Sequence, residues 1–167
     1  MADPFEIVKQ TGDNWCWAAV GATISRYFRP DLAMTECDVA THVLGPNCCQ
    51  AVPPPGTDVP AALQDVLSIQ EIDALQDTMA GEVLEFDRLR KQIVDASLPV
   101  CVRIGWSGEN RGHFVIICGC PISPSGEQWV DIVDPFFPDS VIRYDHFVSS
   151  YQDAGEWTDT FLLREPR

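Results

Sequence analysis

Basic residues are scarce in this sequence, and long apolar runs are missing from it. Lysine and arginine together number 11 among 167 residues, against 25 aspartates and glutamates, so the formal net charge at pH 7 is -14. Such a charge repels phosphates, and we expect neither nucleic acid nor a membrane surface as a partner. No apolar run approaches the roughly 20 residues that a membrane-spanning helix requires. The hydrophobic content of 46% is instead typical of a folded globular domain.

Signals for export and for modular organisation are also missing. The first six residues contain no basic segment followed by an apolar one, so no secretory signal peptide is recognised. The sequence therefore predicts a cytoplasmic protein, or one delivered to a target cell by a specialised secretion system. Repeats, charge blocks and low-complexity segments do not occur, and the one proline-rich stretch, residues 52–56, is typical of a loop. We expect a single domain over residues 1–167.

Hydrophobic periodicity divides the chain into a helical half, about residues 10–98, and a β half, about residues 99–165. Helices are predicted at residues 16–28, 35–44, 60–69, 87–96 and 145–151. Strands are predicted at residues 99–105, 113–118, 128–133, 140–144 and 158–163. The expected N-caps are Asp13 or Asn14 for the first helix, Thr35 with Asp38 in a capping box for the second, and Asp87 for the fourth. Because the strand connections are short, we expect an α+β fold with a mainly antiparallel sheet.

The seven cysteines form an odd number, so internal disulfides cannot pair all of them. The adjacent pair Cys48-Cys49 and the Cys-Gly-Cys at residues 118–120 lack the Cys-x2-Cys spacing of zinc sites, and we expect no metal. In a cytosolic chain the cysteines are expected to be free thiols. If the protein is exported, the alternative is a disulfide from Cys48 or Cys49 to Cys37 or Cys120.

Cys16 is the cysteine best placed for chemistry. It stands at the start of the first predicted helix, where the positive end of the helix dipole and unpaired amides favour thiolate over thiol. A thiolate in that position is a nucleophile at neutral pH. The alternative is that Cys16 is only a small apolar residue beneath a helix.

A nucleophilic cysteine needs a base, and three histidines are available. Two of them have structural roles that their positions explain. His42 lies near the end of one predicted helix, and His146 lies on the surface of another. His113 begins a strand after a polar loop, where a side chain can face a cleft, so it is the best candidate base. An acceptor must orient the imidazole. Asp134 ends the next strand, and we favour it over Asp131, which lies on the opposite face of that strand.

Several short motifs follow one another along roughly residues 10–160: Gln10, Cys16-Trp17-Ala18-Ala19, Thr35-Glu36-Cys37, Cys48-Cys49, Gly112-His113-Phe114 and Asp134-Pro135. In this order they resemble the papain-like cysteine proteases, and most closely their compact bacterial branch, which includes type III effector proteases of plant pathogens. Asn14-Trp15 stands where plant papains have Gly-Ser, which leaves substrate specificity open. Asp134 stands where plant papains have Asn, and this difference suits the bacterial branch.

The resemblance implies a papain-like fold, with the nucleophile in the N-terminal helical half and the His and Asp in the C-terminal antiparallel sheet. It implies that Cys16 attacks the scissile carbonyl, that His113 shuttles the proton and that Asp134 orients His113. The side-chain amide of Gln10 would join the backbone amide of Cys16 in an oxyanion hole. It implies no cofactor.

Two tryptophans are candidates for substrate binding. We expect Trp15, beside the nucleophile, and Trp106, at the start of the polar loop before His113, to line the substrate cleft. The alternative is that both belong to the core, where large aromatic side chains are most often found.

The sequence thus predicts a cysteine endopeptidase that acts on a protein or peptide substrate, with a role as a bacterial effector or toxin. One alternative is a deamidase, acyltransferase or leader peptidase that uses the same thiol chemistry, and another is an inactive binding module on the same fold. Only fifteen residues precede Cys16, too few to fold as an inhibitory propeptide. We therefore expect restraint to come from elsewhere, for example from an inhibitory or immunity protein.

Overall fold

Helices come mostly before strands in the computed structural model, which describes residues 5–52 and 54–167. Residues 1–4 and Pro53, which belongs to the loop predicted at 52–56, lie outside the described part. The helices are α1 (Cys16–Phe28), α2 (Glu36–Leu44), α3 (Leu63–Leu67), α4 (Phe86–Arg90, continued by a π-helical turn at Lys91–Asp95) and α5 (Tyr144–Ser150), with a 3-10 turn at Pro30–Leu32. The strands are β1 (Leu75–Met79), β2 (Val100–Trp106), β3 (Gly112–Gly119), β4 (Trp129–Val133), β5 (Ser140–Arg143) and β6 (Gly155–Leu163).

The strands form one open, antiparallel sheet in the order β1-β6-β2-β3-β4-β5. The fold is therefore α+β with an antiparallel sheet, as predicted. Strand β1 was not predicted; it belongs to the half expected to be helical and pairs with β6 at one edge of the sheet. Its sequence, Leu-Gln-Asp-Thr-Met, has no alternation of apolar and polar residues. An edge strand has one neighbour and needs less of that pattern than a central strand does.

Helix α1 is buried along ten consecutive residues, Cys16 to Ser25. It packs on α2, α3 and strand β3. The alternate side chains of β3 enter two separate cores: Phe114 and Ile116 join the α1 cluster, while Val115 and Ile117 join the cluster around α5. This packing brings the start of α1, with Cys16, to the end of the sheet where β3 begins.

The helix caps agree only in part with the predictions. The capping box at α2 is confirmed, with Thr35 Oγ1 accepting from the Asp38 N–H at 3.1 Å and Asp38 Oδ2 accepting from the Thr35 N–H at 2.8 Å. The N-cap predicted for α1, Asp13 or Asn14, was wrong. The N-cap of this helix is Trp15, which makes no side-chain cap bond. Asp87 is likewise not the cap of α4, which has Glu85 in that position. Helix α3 is also shorter than predicted and begins at Leu63.

The cysteines depart from the expectation of free thiols. Cys37, in the first turn of α2, and Cys49 form a disulfide, one of the pairings foreseen for an exported protein. Cys16, Cys48 and Cys101 are buried free thiols. Across residues 5–52 and 54–167, no three His, Cys, Asp or Glu side chains are arranged to hold a metal ion. Within the same ranges, every helix is too short or too polar to cross a bilayer.

Candidate active site

His113 and Asp134 form a buried pair. His113 is the second residue of β3, and Asp134 follows the end of the neighbouring strand β4. Nε2 of His113 lies 2.7 Å from Oδ1 of Asp134, and the two residues are 6% and 0% exposed. Asp131 pairs instead with Gly119, at the far end of β3. The structure thus brings Asp134, the favoured candidate, against His113 and places Asp131 elsewhere.

The Asp134 carboxylate is held by further donors. Oδ1 accepts the backbone N–H groups of Phe136 at 2.8 Å and Phe137 at 3.0 Å, and Oδ2 accepts the hydroxyl of Tyr151 at 2.5 Å. Burial acts to raise the pKa of Asp134, but the hydrogen bond and charge of His113, the Tyr151 hydroxyl and the Phe136 amide together lower it below the usual value. The carboxylate is therefore ionised at neutral pH even though it is fully buried.

Cys16 completes the constellation. Burial acts to lower the pKa of His113, but hydrogen bonds to Asp134 and Cys16, and the charges of both, raise it to about 9. Because Asp134 occupies Nε2, Nδ1 is the ring nitrogen available to the sulfur of Cys16. A ring with this pKa is an imidazolium at neutral pH, and it lies beside Cys16. The first residue of a helix also keeps a backbone N–H that has no acceptor within the helix.

The loop before Cys16 is held by Asp58. Its Oδ1 accepts the Asn14 N–H at 2.8 Å, and its Oδ2 accepts the Asp13 N–H at 3.1 Å. The side-chain amide of Asn14 donates in return to the Asp58 carbonyl at 3.1 Å. These bonds fix the backbone of the two residues that were expected to cap α1. Sequence reasoning missed Asp58, since a single carboxylate beside a proline-rich loop carries no recognisable pattern.

Trp15 does not line the cleft, and this prediction was wrong. The residue is only 6% exposed, and its indole N–H donates to the Thr57 carbonyl at 2.8 Å. Trp17 donates in the same way to Val59 at 2.9 Å. The indoles pack the start of α1 against the loop at residues 57–59, so Trp15 belongs to the core.

The cleft itself opens beside Cys16 and His113 and has a volume of about 620 Å³. Trp106 lines it, as predicted, and stacks on the His113 ring with centroids 5.9 Å apart and an interplanar angle of 23°. Phe137 meets the same ring edge-on at 6.2 Å, and Phe136, on the rim, is 60% exposed. The aromatic side chains pack against the imidazole, and Cys16 and His113 both line the cleft.

Gln10 also lines the cleft, but its side-chain amide faces the loop that joins Gln10 to Cys16. Its backbone N–H donates to the Pro135 carbonyl at 2.9 Å, which ties it to the segment after Asp134. Its side-chain Nε2 donates to the carbonyls of Gly12 at 2.9 Å and Asp13 at 3.0 Å. Among the described residues, none bonds to its buried Oε1. A role in an oxyanion hole would require Nε2 to turn away from at least one carbonyl, and it remains a prediction.

The other two histidines lie apart from this site. His42, in the last turn of α2, is exposed and lies 3.7 Å from Glu71. His146 is exposed on α5. Both positions agree with the structural roles expected for them.

No family model matches the sequence, and no curated protein has significant similarity to it.

Proposed function

We propose that this protein is a cysteine endopeptidase with a papain-like fold. One observation carries the proposal: Cys16, His113 and Asp134 meet at the edge of an open cleft, with Asp134 on Nε2 of a protonated imidazole and Cys16 on its other side. A buried core cysteine would need no imidazolium beside it. The placement of Cys16 at the start of a helix, with His113 and Asp134 on an antiparallel sheet, supports the papain-like assignment of the fold.

In the proposed first half-reaction, the Cys16 thiolate attacks the carbonyl carbon of the scissile peptide and forms a C–S bond. The resulting oxyanion collapses, the C–N bond breaks, and the leaving amine takes the proton from Nδ1 of His113. In the second half-reaction a water molecule attacks the thioester and gives a proton to His113. The C–S bond then breaks, which releases the acid and restores the thiolate and imidazolium. Asp134 stays ionised throughout and stabilises the imidazolium each time it forms.

The oxyanion needs donors that are already in position. The backbone N–H of Cys16 is one, because it begins a helix. The amide of Gln10 is the proposed second donor, once substrate binding turns it from the carbonyls of Gly12 and Asp13. Loss of one such donor typically lowers the rate by about 10² to 10³.

The proposed setting is that of a bacterial effector or toxin that works outside the reducing cytosol that made it. The Cys37–Cys49 disulfide supports this setting, because disulfides persist in oxidising compartments and are rare in the cytosol. A protein with a reactive thiol that lines an open cleft would need restraint in its own cell, and an inhibitory or immunity protein is the proposed partner.

The test is to incubate the protein with a proteome and map the new N-termini. Wild type should generate N-termini that are absent with Cys16→Ala and His113→Ala. His146→Ala is the matched control, since it removes an exposed imidazole outside the cleft and should leave the N-termini unchanged. Identical N-termini with wild type and Cys16→Ala would overturn the protease proposal. Conversion of glutamine to glutamate, or transfer of acyl groups to amines, in place of cleavage would reassign the same site to a deamidase or acyltransferase.

A further inference from the structure

Tyr151 is the C-cap residue of α5 and is fully buried. Its hydroxyl donates a hydrogen bond to Oδ2 of Asp134 at 2.5 Å. We propose that Tyr151 is a positioning residue that acts through Asp134, holding the carboxylate in the one orientation that pairs with His113. This inference rests on the proposed function, in which His113 is the proton shuttle, but it concerns a contact that the proposed mechanism does not use.

The hydrogen bonds of Asp134 explain why this contact matters. Oδ1 accepts from Nε2 of His113 and from the amides of Phe136 and Phe137. Among the described residues, Tyr151 provides the single donor to Oδ2. The carboxylate is 0% exposed, so water cannot replace a lost donor without a change in packing. Leaving a buried charged oxygen without a partner is costly, and the carboxyl group would either rotate away from His113 or take up a proton.

Tyr151 is itself held rigidly. Its ring packs edge-on against Phe147 at 5.2 Å and stacks with Trp106 at 6.4 Å. Its backbone N–H donates to the Gly155 carbonyl, and its carbonyl accepts the Gly155 N–H, both at 2.8 Å. Between them, Gln152 with φ 52° forms part of a tight left-handed turn. The hydroxyl therefore cannot follow a carboxylate that moves.

The charged neighbours of this pair come from several elements. Burial, and then the charge of Asp134, raise the pKa of Tyr151 well above its ordinary value, so the hydroxyl is a donor at every pH of interest. Asp139 adds to that effect, and the side chain of Gln152 opposes it. Lys9 donates to the Asp134 carbonyl at 2.7 Å and lies 3.8 Å from Asp139.

Loss of the hydroxyl should narrow the active pH range from both ends. Without the Tyr151 bond, which lowers the pKa of Asp134, that carboxyl takes up a proton at a higher pH. A carboxylate that is neutral or rotated stabilises the imidazolium less, so His113 loses its proton at a lower pH. A residue that served stability alone would lower the melting temperature and leave both pH limits where they are.

The experiment compares Tyr151→Phe with Tyr144→Phe. Each variant removes one hydroxyl, but Tyr144 donates to the Leu84 carbonyl at 2.8 Å and makes no bond to Asp134. The first readout is the ring ¹⁵N titration of His113, which needs no substrate, and the second is the pH profile of kcat/KM. We expect Tyr151→Phe to lower the His113 pKa below about 9 and to reduce kcat by about tenfold with little change in KM. Tyr144→Phe should change neither.

An unchanged His113 titration in folded Tyr151→Phe would overturn the proposal, whatever the enzyme does to peptides. A lowered His113 pKa in a protein that hydrolyses no peptide would support the positioning role and count against the proposed protease. If Tyr151→Phe does not fold, the test is the exchange rate of the Tyr151 hydroxyl proton in the wild-type protein. A Tyr151 hydroxyl proton held in this bond exchanges slowly and is visible by NMR, and a rapidly exchanging one contradicts the proposal.

Discussion

The carboxylate of Asp58 accepts the backbone N–H of Asn14 at 2.8 Å across 44 residues of chain. Through this bond, a loop that carries none of the proposed catalytic residues sets the conformation of the segment that leads into Cys16. The loop is anchored further back by the Cys37–Cys49 disulfide, which joins it to α2. The proposed nucleophile is thus positioned from outside its own helix.

Replacement of Asp58 by Ala should therefore lower the reactivity of Cys16, although Asp58 bonds to Asp13 and Asn14 rather than to Cys16 itself. The amides of Asp13 and Asn14 would lose a charged acceptor, and the start of α1 would gain freedom. We expect the rate of Cys16 alkylation at neutral pH to fall by about tenfold. Asp87→Ala is the control, because Asp87 is exposed on α4. Equal alkylation rates in the two variants would mean that Asp58 does not position Cys16.

The disulfide should contribute to stability. A bridge across 12 residues restricts the unfolded chain, and its loss from Cys37→Ser/Cys49→Ser should lower the free energy of unfolding by about 2–4 kcal/mol. Urea denaturation measures this difference. Cys48→Ser is the matched control, since Cys48 is buried beside Cys49 with sulfurs 3.8 Å apart but leaves the bridge intact. A double variant as stable as the control would contradict the prediction.

The pH dependence of the free energy of unfolding follows from the raised pKa of His113. Its pKa is raised from 6.5 to about 9 in the folded protein, so the pairing with Asp134 and Cys16 stabilises the fold fully below pH 6.5. That contribution is lost as the pH rises through about 9. We expect the unfolding free energy of wild type to decline over this range relative to that of His113→Ala, as measured by chemical denaturation at a series of pH values. Parallel curves for the two proteins would show that the imidazole is not stabilised in its charged form.

Phe136 should affect substrate binding more than chemistry. Its side chain lies on the rim of the cleft and is 60% exposed, whereas its backbone N–H carries the bond to Asp134. Phe136→Ala keeps the backbone and removes apolar surface, so we expect KM for peptide substrates to rise by about tenfold with kcat nearly unchanged. Val141→Ala is the matched control, because Val141 is also 60% exposed but does not line the cleft. A change in kcat alone would contradict this role.

Much of the fold, and the grouping of Cys16, His113 and Asp134 in one site, could be predicted from local sequence. Helix α1 and the capping box of α2 were predicted because their signals lie within a few residues of each other. Asp134 was preferred over Asp131 on strand alternation and position, and the structure pairs it with His113. The edge strand β1 was missed because its residues carry no periodic pattern and its pairing partner is β6.

What the sequence determined by itself was the chemistry available: a cysteine at the start of a helix, an imidazole at the start of a strand and a carboxylate at the end of the next. Tertiary structure alone decided how these groups are held. Asp58 accepts a hydrogen bond from Asn14, Tyr151 donates one to Asp134, and the buried Trp15 donates one to the Thr57 carbonyl. Each of these contacts joins residues that are distant along the chain. Their side chains are ordinary in local sequence and gain a role only when folding brings them against a particular partner.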